Sequence, residues 1–315
     1  MLNLLHHSTK RHSQRKGAIL ILYHVTYSSD SYRVKAYLGL PDGCSWSSFS
    51  VPTEIDNLPP SPTLSSTLQP VKLTALASRY SRAHSNQIHI DQNTLWPVLI
   101  YCRGGLGNYG GVNTSWIEQF VNYGYIVFAP AYRGNEGGEG RDGYGGSDLQ
   151  DVVSAYQLVH GLPFADPSRI SIMGFSRGAI NAVHAAATYN KQPHRVHKLV
   201  LWSGVADVAQ TYLERTDLRR TLKRVLGNSP HRAPEAYTAR SPLFKVPELR
   251  CPVLIMHGTE DSQVKYSHGT QMFNELKRSG ADVTFHAYGG ENHHFQGTVQ
   301  QTAIIHMFKW LGTRS

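Results

Sequence analysis

The chain has 315 residues, 40% hydrophobic and 17% charged, which excludes wholesale disorder and is long enough for one large α/β core. Its formal charge of +9 raises nucleic acid or an anionic surface as a partner. Lys10, Arg11, Arg15 and Lys16 crowd a basic N-terminal tail at 1–18, however, and the other basic residues are scattered without interleaved aromatics, so no nucleic-acid partner is expected.

The first apolar run, GAILILY at 17–23, is far short of a membrane span and follows no signal-peptide pattern, so no membrane partner is expected. Cys44, Cys102 and Cys251 share no paired spacing, which argues against a disulfide framework or a zinc site and fits a cytoplasmic protein. Strands are predicted at 19–27 and 32–40, joined by a polar turn at 28–31 as an antiparallel hairpin. Residues 43–95 hold ten serines and five prolines with weak periodicity and are expected to form a mobile surface insertion, with a lid as the alternative.

Further strands are predicted at 97–102, 126–132, 169–175, 198–204, 252–258 and 282–288. Helix-sized connections between them imply right-handed crossovers and a mostly parallel sheet. SDLQDVVSAYQLVHG places Leu149, Val152, Val153, Tyr156 and Val159 on one helical face, with Ser147 as N-cap and Gly161 as stop. Helices are also expected at 179–189, 266–278 and 299–311. The charged stretch 205–250 reads either as an excursion over the active-site face or as a solvated surface helix. Eight mostly parallel strands flanked by helices, over 19–315, is the plan of the α/β-hydrolase fold.

GFSRG at 174–178 is a weak signal alone, but it stands where a buried strand pattern, RISIMGF, runs into a helical one, RGAINAVHAAATY. Strand, tight turn and helix is the context of a nucleophile elbow, which makes Ser176 a candidate nucleophile. A serine needs a base, and the base needs an orienting acid. In this fold the acid follows a late strand and the histidine follows the last. Glu260 and Asp261 follow PVLIMHG, and His293 and His294 follow DVTFHAY; position alone leaves both pairs open. No His/Asp cluster has ligand spacing, so no metal is expected. GNEGGEGRDGYGG lacks the Lys-Ser/Thr of a phosphate loop.

PVLIYCRGG, APAYRGNEGGEGRDGYGGSDLQDV, PSRISIMGFSRGA, SPLFKVPELRCPVLIMHGTEDSQV and YGGENHHF together resemble the catalytic domain of the prolyl oligopeptidase family of serine peptidases. The likeness is to the small form without a β-propeller, since each blade needs about 40–45 residues and too few precede the third strand. It implies Ser176 as nucleophile, Asp261 as acid and His293 as base, the last from the match of Glu291–Phe295 to the family's final motif. It also implies backbone N–H groups of Gly105 and Arg177 as the oxyanion hole, with Arg103 either touching substrate or held in a salt bridge. Tyr132–Asn135, Asp148 and Asp151 would brace loops around the elbow. No cofactor is implied. The substrate is expected to be a small peptide, with carboxylesterase activity or a non-catalytic binding role on the same fold as alternatives.

Overall fold

Alternate side chains of the first hairpin are buried: Val25 and Tyr27 on β1 (Ile21–Ser29), and Val34, Ala36, Leu38 and Leu40 on β2 (Tyr32–Leu40). This period of two lays one face of the hairpin on the core. The strands pair antiparallel from Ile21↔Leu40 to Ser29↔Tyr32, as the polar turn predicts. The structure, a computed structural model, describes residues 21–41, 44, 72–76, 94–191 and 193–313. The basic tail and most of 43–95 lie outside the described residues.

Six strands then run parallel: β4 (Trp96–Cys102), β5 (Ile126–Pro130), β6 (Ala165–Phe175), β7 (Leu199–Trp202), β8 (Val253–Gly258) and β9 (Val283–Tyr288). The interior ones are continuous apolar runs because helices cover both faces. On one face α2 (Leu149–His160), α3 (Gly178–Thr188) and α7 (Tyr266–Arg278) pack through Val152, Ala182 and Met272. On the other, α1 (Thr114–Val121) and α8 (Gly297–Leu311) contribute Trp116, Phe120, Ile304 and Phe308. This is the α/β-hydrolase architecture.

The sheet has nine strands, in the order β3-β1-β2-β5-β4-β6-β7-β8-β9, and not the expected eight. The extra strand, β3 (Lys72–Leu76), lies inside the segment expected to be a mobile insertion and pairs antiparallel with β1 at the sheet edge. Five residues of alternating character between serines and prolines are too short a pattern to stand out. Other differences are local. β5 ends at Pro130, because Tyr132 takes a positive φ of 64°. Asp148, not Ser147, stands at the N-cap position of α2 but makes no side-chain capping bond; its carboxylate turns back to the N–H groups of Gly143, Gly145 and Gly146.

Residues 205–250 fold as α4 (Val208–Glu214), α5 (Arg219–Leu226) and α6 (Pro234–Thr238), followed by a 3-10 turn. Their apolar faces are buried: Tyr212, Leu222, Leu226 and Tyr237 pack with Tyr144, Ile180, Val205 and Val264. Ile180 lies one turn after the elbow and Val264 three residues after Asp261. The excursion therefore packs beside the candidate site.

Candidate active site

Ser176 occupies the turn between β6 and α3 with φ 56°, a left-handed conformation that costs a non-glycine residue about 1–3 kcal/mol. Three hydrogen bonds hold it there: its N–H donates to Trp202 O at 3.0 Å, and its carbonyl accepts from Ala179 and Val205 N–H at 3.1 Å each. The glycines on either side are required by close approach. A Cβ on Gly174 would lie 2.6 Å from Ala179 Cα, and one on Gly178 would collide with the Cys102 carbonyl. Bulk at either position would force helix α3 away from the sheet.

Asp261 follows β8 and His293 follows β9, so parallel crossovers carry both to the edge of the sheet where β6 delivers Ser176. His293 Nε2 lies 2.9 Å from Ser176 Oγ, and its Nδ1 lies 2.8 Å from Asp261 Oδ2. The carboxylate's other oxygen accepts the N–H groups of Gln263 and Val264 at 2.9 Å each. Burial pushes the Asp261 carboxyl up, but hydrogen bonds from His257 and His293, the His293 charge and the Val264 N–H outweigh it. The carboxyl sits well below the usual carboxylate range.

The two pairs left open by position separate here. Glu260 is exposed, whereas Asp261 is buried against His293. His294 is exposed and its ring stands edge-on to that of His293, 5.2 Å away. It packs on Phe175 and makes no hydrogen bond to Ser176 or Asp261 among the described residues. Loss of water where the ring packs on Phe175, together with the adjacent His293, holds its pKa below the ordinary histidine value.

The loop after β4 lies against the candidate nucleophile: a Cβ on Gly104 would come within 2.9 Å of Ser176 Cβ. Gly105 follows at φ 71°. The backbone N–H groups of Gly105 and Arg177 have no protein partner among the described residues, which leaves both able to donate to a ligand. The Gly105 carbonyl is tied back by Arg177 Nη1 at 3.1 Å and Arg103 Nη1 at 3.4 Å.

Both arginines are buried, and neither side chain reaches toward solvent. Of the two roles open to Arg103, the structure gives the salt bridge: it lies 3.5 Å from Asp142 and donates to the Ala131 and Gly104 carbonyls. The Arg177 side chain bonds Asp142 and Asp148, each at 2.6 Å. The Tyr132 ring lies against both guanidiniums, its centroid 4.8 Å from each. Burial opposes the charge of Arg177, but Asp142 and Asp148 more than offset it and raise its pKa. Arg103 is held below the ordinary arginine value by burial, with Arg177 adding to the effect. Asp151 pairs with Arg133 at 2.7 Å, so Asp148 and Asp151 brace the loops as expected. The sequence reading missed Asp142, whose only signal is a carboxylate inside a glycine-rich run. No group of three or more His, Cys, Asp or Glu residues could hold a metal among the described residues.

A serine on a strained strand-to-helix turn, hydrogen-bonded through a histidine to a buried carboxylate on a mostly parallel sheet, defines an α/β-hydrolase with a serine-centred site. Residues 112–314 match the prolyl oligopeptidase family. An uncharacterized peptidase of Bacillus subtilis, YtmA, is 37% identical over 216 residues, covering 69% of this chain and 83% of its own. Dipeptidyl-peptidase 5 of Porphyromonas endodontalis is 26% identical over 246 residues, covering 71% of this chain but only 34% of its own length. Among solved structures, an acylaminoacyl peptidase of Pyrococcus horikoshii superposes with a TM-score of 0.64 at 18% identity, over 94% of this chain and 40% of that one. A puromycin-hydrolyzing peptidase of Mycobacterium tuberculosis gives 0.64 at 20% identity, over 91% and 38%. The chain belongs to the prolyl oligopeptidase family of serine peptidases.

Proposed function

We propose that the chain hydrolyses small peptides by acyl transfer through Ser176. The hydrogen-bonded line from Ser176 Oγ through His293 to Asp261, at 2.9 and 2.8 Å, is the observation that supports this reading. His293 Nε2 takes the hydroxyl proton as Oγ attacks the scissile carbonyl, and Asp261 stabilises the imidazolium through Nδ1. The Gly105 and Arg177 N–H groups receive the developing oxyanion. His293 then protonates the leaving amine, and water, deprotonated by the same imidazole, cleaves the acyl-enzyme. No cofactor or metal takes part.

Peptide is favoured over ester as substrate by the peptidase relatives. Turnover of aminoacyl and prolyl p-nitroanilides, abolished in Ser176→Ala, is the expected result. Turnover of p-nitrophenyl esters alone would replace the peptidase with a carboxylesterase. Fluorophosphonate labelling no better in wild type than in Ser176→Ala would leave a binding protein on a hydrolase fold. The three cysteines are all free and buried, and no described helix is long and apolar enough to cross a membrane. A cytoplasmic enzyme acting without nucleic acid or membrane fits both.

A further inference from the structure

Behind the Ser176–His293–Asp261 line stands a second histidine that the proposed reaction does not use. His257, the fifth residue of β8, is fully buried. Its Nε2 lies 2.8 Å from the Val264 carbonyl and 3.4 Å from Asp261 Oδ2, the same oxygen that receives His293. Both neighbours of Nε2 are acceptors, so Nε2 carries the proton and donates. Nδ1 has no partner. It faces the backbone of α7, where a Cβ on Gly269 would come within 2.8 Å of it. The Tyr266 ring meets the imidazole edge-on at 5.9 Å, and the buried His268 lies close by.

We propose that His257 is a positioning residue for the catalytic acid, closing the loop that aims Asp261 at His293. The hydrogen bonds form a circuit. His257 Nε2–H binds the Val264 carbonyl, Val264 N–H binds Asp261 Oδ1, and Asp261 Oδ2 sits between the two imidazoles. Without the donor, the Val264 carbonyl would be left unpaired in a buried site and the loop would relax to find another partner. The carboxylate would then lose both its aim and one of the groups sharing its charge. A misplacement of this kind, away from the reacting atoms, costs on the order of 10-fold to 100-fold in rate.

This inference rests on the proposed reaction, and its test separates the two. His257→Phe keeps a ring and removes the donor, whereas His257→Gln puts an amide nitrogen near the Nε2 position. Expected for His257→Phe is a kcat lowered about 10-fold to 100-fold with KM within about twofold of wild type. The acid limb of its kcat/KM profile should move to lower pH, since a carboxylate no longer aimed at Nδ1 holds the His293 imidazolium less firmly. His257→Gln should recover most of kcat and return the limb. A folded His257→Phe with wild-type kcat and an unmoved limb overturns the proposal, as does a Gln variant no better than Phe. If the Phe variant does not fold, His257→Asn, whose shorter amide places no donor at Nε2, is read by the same criteria. The low-field proton resonance of the His293 Nδ1–H bond supplies a readout free of turnover and should exchange faster with water in the donor-less variant. An unchanged exchange rate overturns the proposal. Lack of Ser176-dependent turnover in wild type would instead remove the proposed reaction, with the resonance still deciding on His257.

Discussion

At the scale of single residues, adjacent histidines provide the sharpest contrast. His293 is buried between Ser176 and Asp261, while its neighbour reaches neither. His293→Ala is expected to lower kcat by about 10⁴-fold or more, and His294→Ala to leave it within a few-fold. Survival of full activity in His293→Ala would move the base. Arg177 is the residue whose side chain the sequence did not reveal. Ser176, Asp261 and His293 were legible because each is tied to a strand end, and strand ends can be counted. The partners of Arg177 lie 35 and 29 residues away in a glycine-rich run with no periodic pattern. Replacing Arg177 with Leu strands two buried carboxylates, a kind of change that costs about 3–5 kcal/mol. Lys would rescue little, because a single ammonium cannot span Asp142, Asp148 and the Gly105 carbonyl with the guanidinium's fixed fork. Urea unfolding would check both variants, and wild-type stability in Arg177→Leu would refute this account of the loop.

Among elements, the elbow depends on how closely α3 meets the end of β4. A methyl at Gly178 would occupy the space of the Cys102 carbonyl, which cannot yield without moving a central strand. Gly178→Ala should therefore destabilise by about 1–3 kcal/mol through overpacking, and activity should fall with it as Ser176 shifts. Gly111→Ala, where a Cβ meets nothing within 4 Å and φ is not positive, serves as the control. Equal unfolding midpoints for the two variants would contradict the packing argument. The crossover helices and central strands were legible because they are long and their periods differ. β3 was not, since five residues pairing with β1 across more than forty intervening positions leave almost no local trace. The helices of 205–250 were legible as helices, but their burial was not. Their charged faces dominate the composition, while Leu222, Leu226 and Tyr237 turn inward.

For the molecule as a whole, histidine burial sets how stability should respond to acid. Of the 17 histidines, His160, His184, His197, His268 and His286 are held below the ordinary histidine value, in each case chiefly by burial. Unfolding releases them into water, where they take up protons near pH 6.5. The unfolded chain thus binds more protons than the folded one once pH falls to that value, and stability must decline from there downward. The carboxylates act in a lower window. Asp148, buried but held low by Arg177, Asn181 and glycine N–H groups, stabilises the fold above about pH 4 and ceases to as pH falls through its folded value; Asp261 behaves likewise. Asp151, raised by burial despite Arg133, works in the opposite sense and in a window just above the ordinary carboxylate value, where a fall in pH favours the folded chain. Between about pH 6.5 and 4 the histidines therefore dominate. Thermal midpoints should be level from pH 8 to 7 and fall steadily from pH 7 to 5, with calorimetry in buffers of different ionisation enthalpy registering net proton uptake on unfolding. A midpoint unchanged from pH 7 to 5 would mean that these imidazoles titrate alike in both states, and that their burial does not keep them neutral.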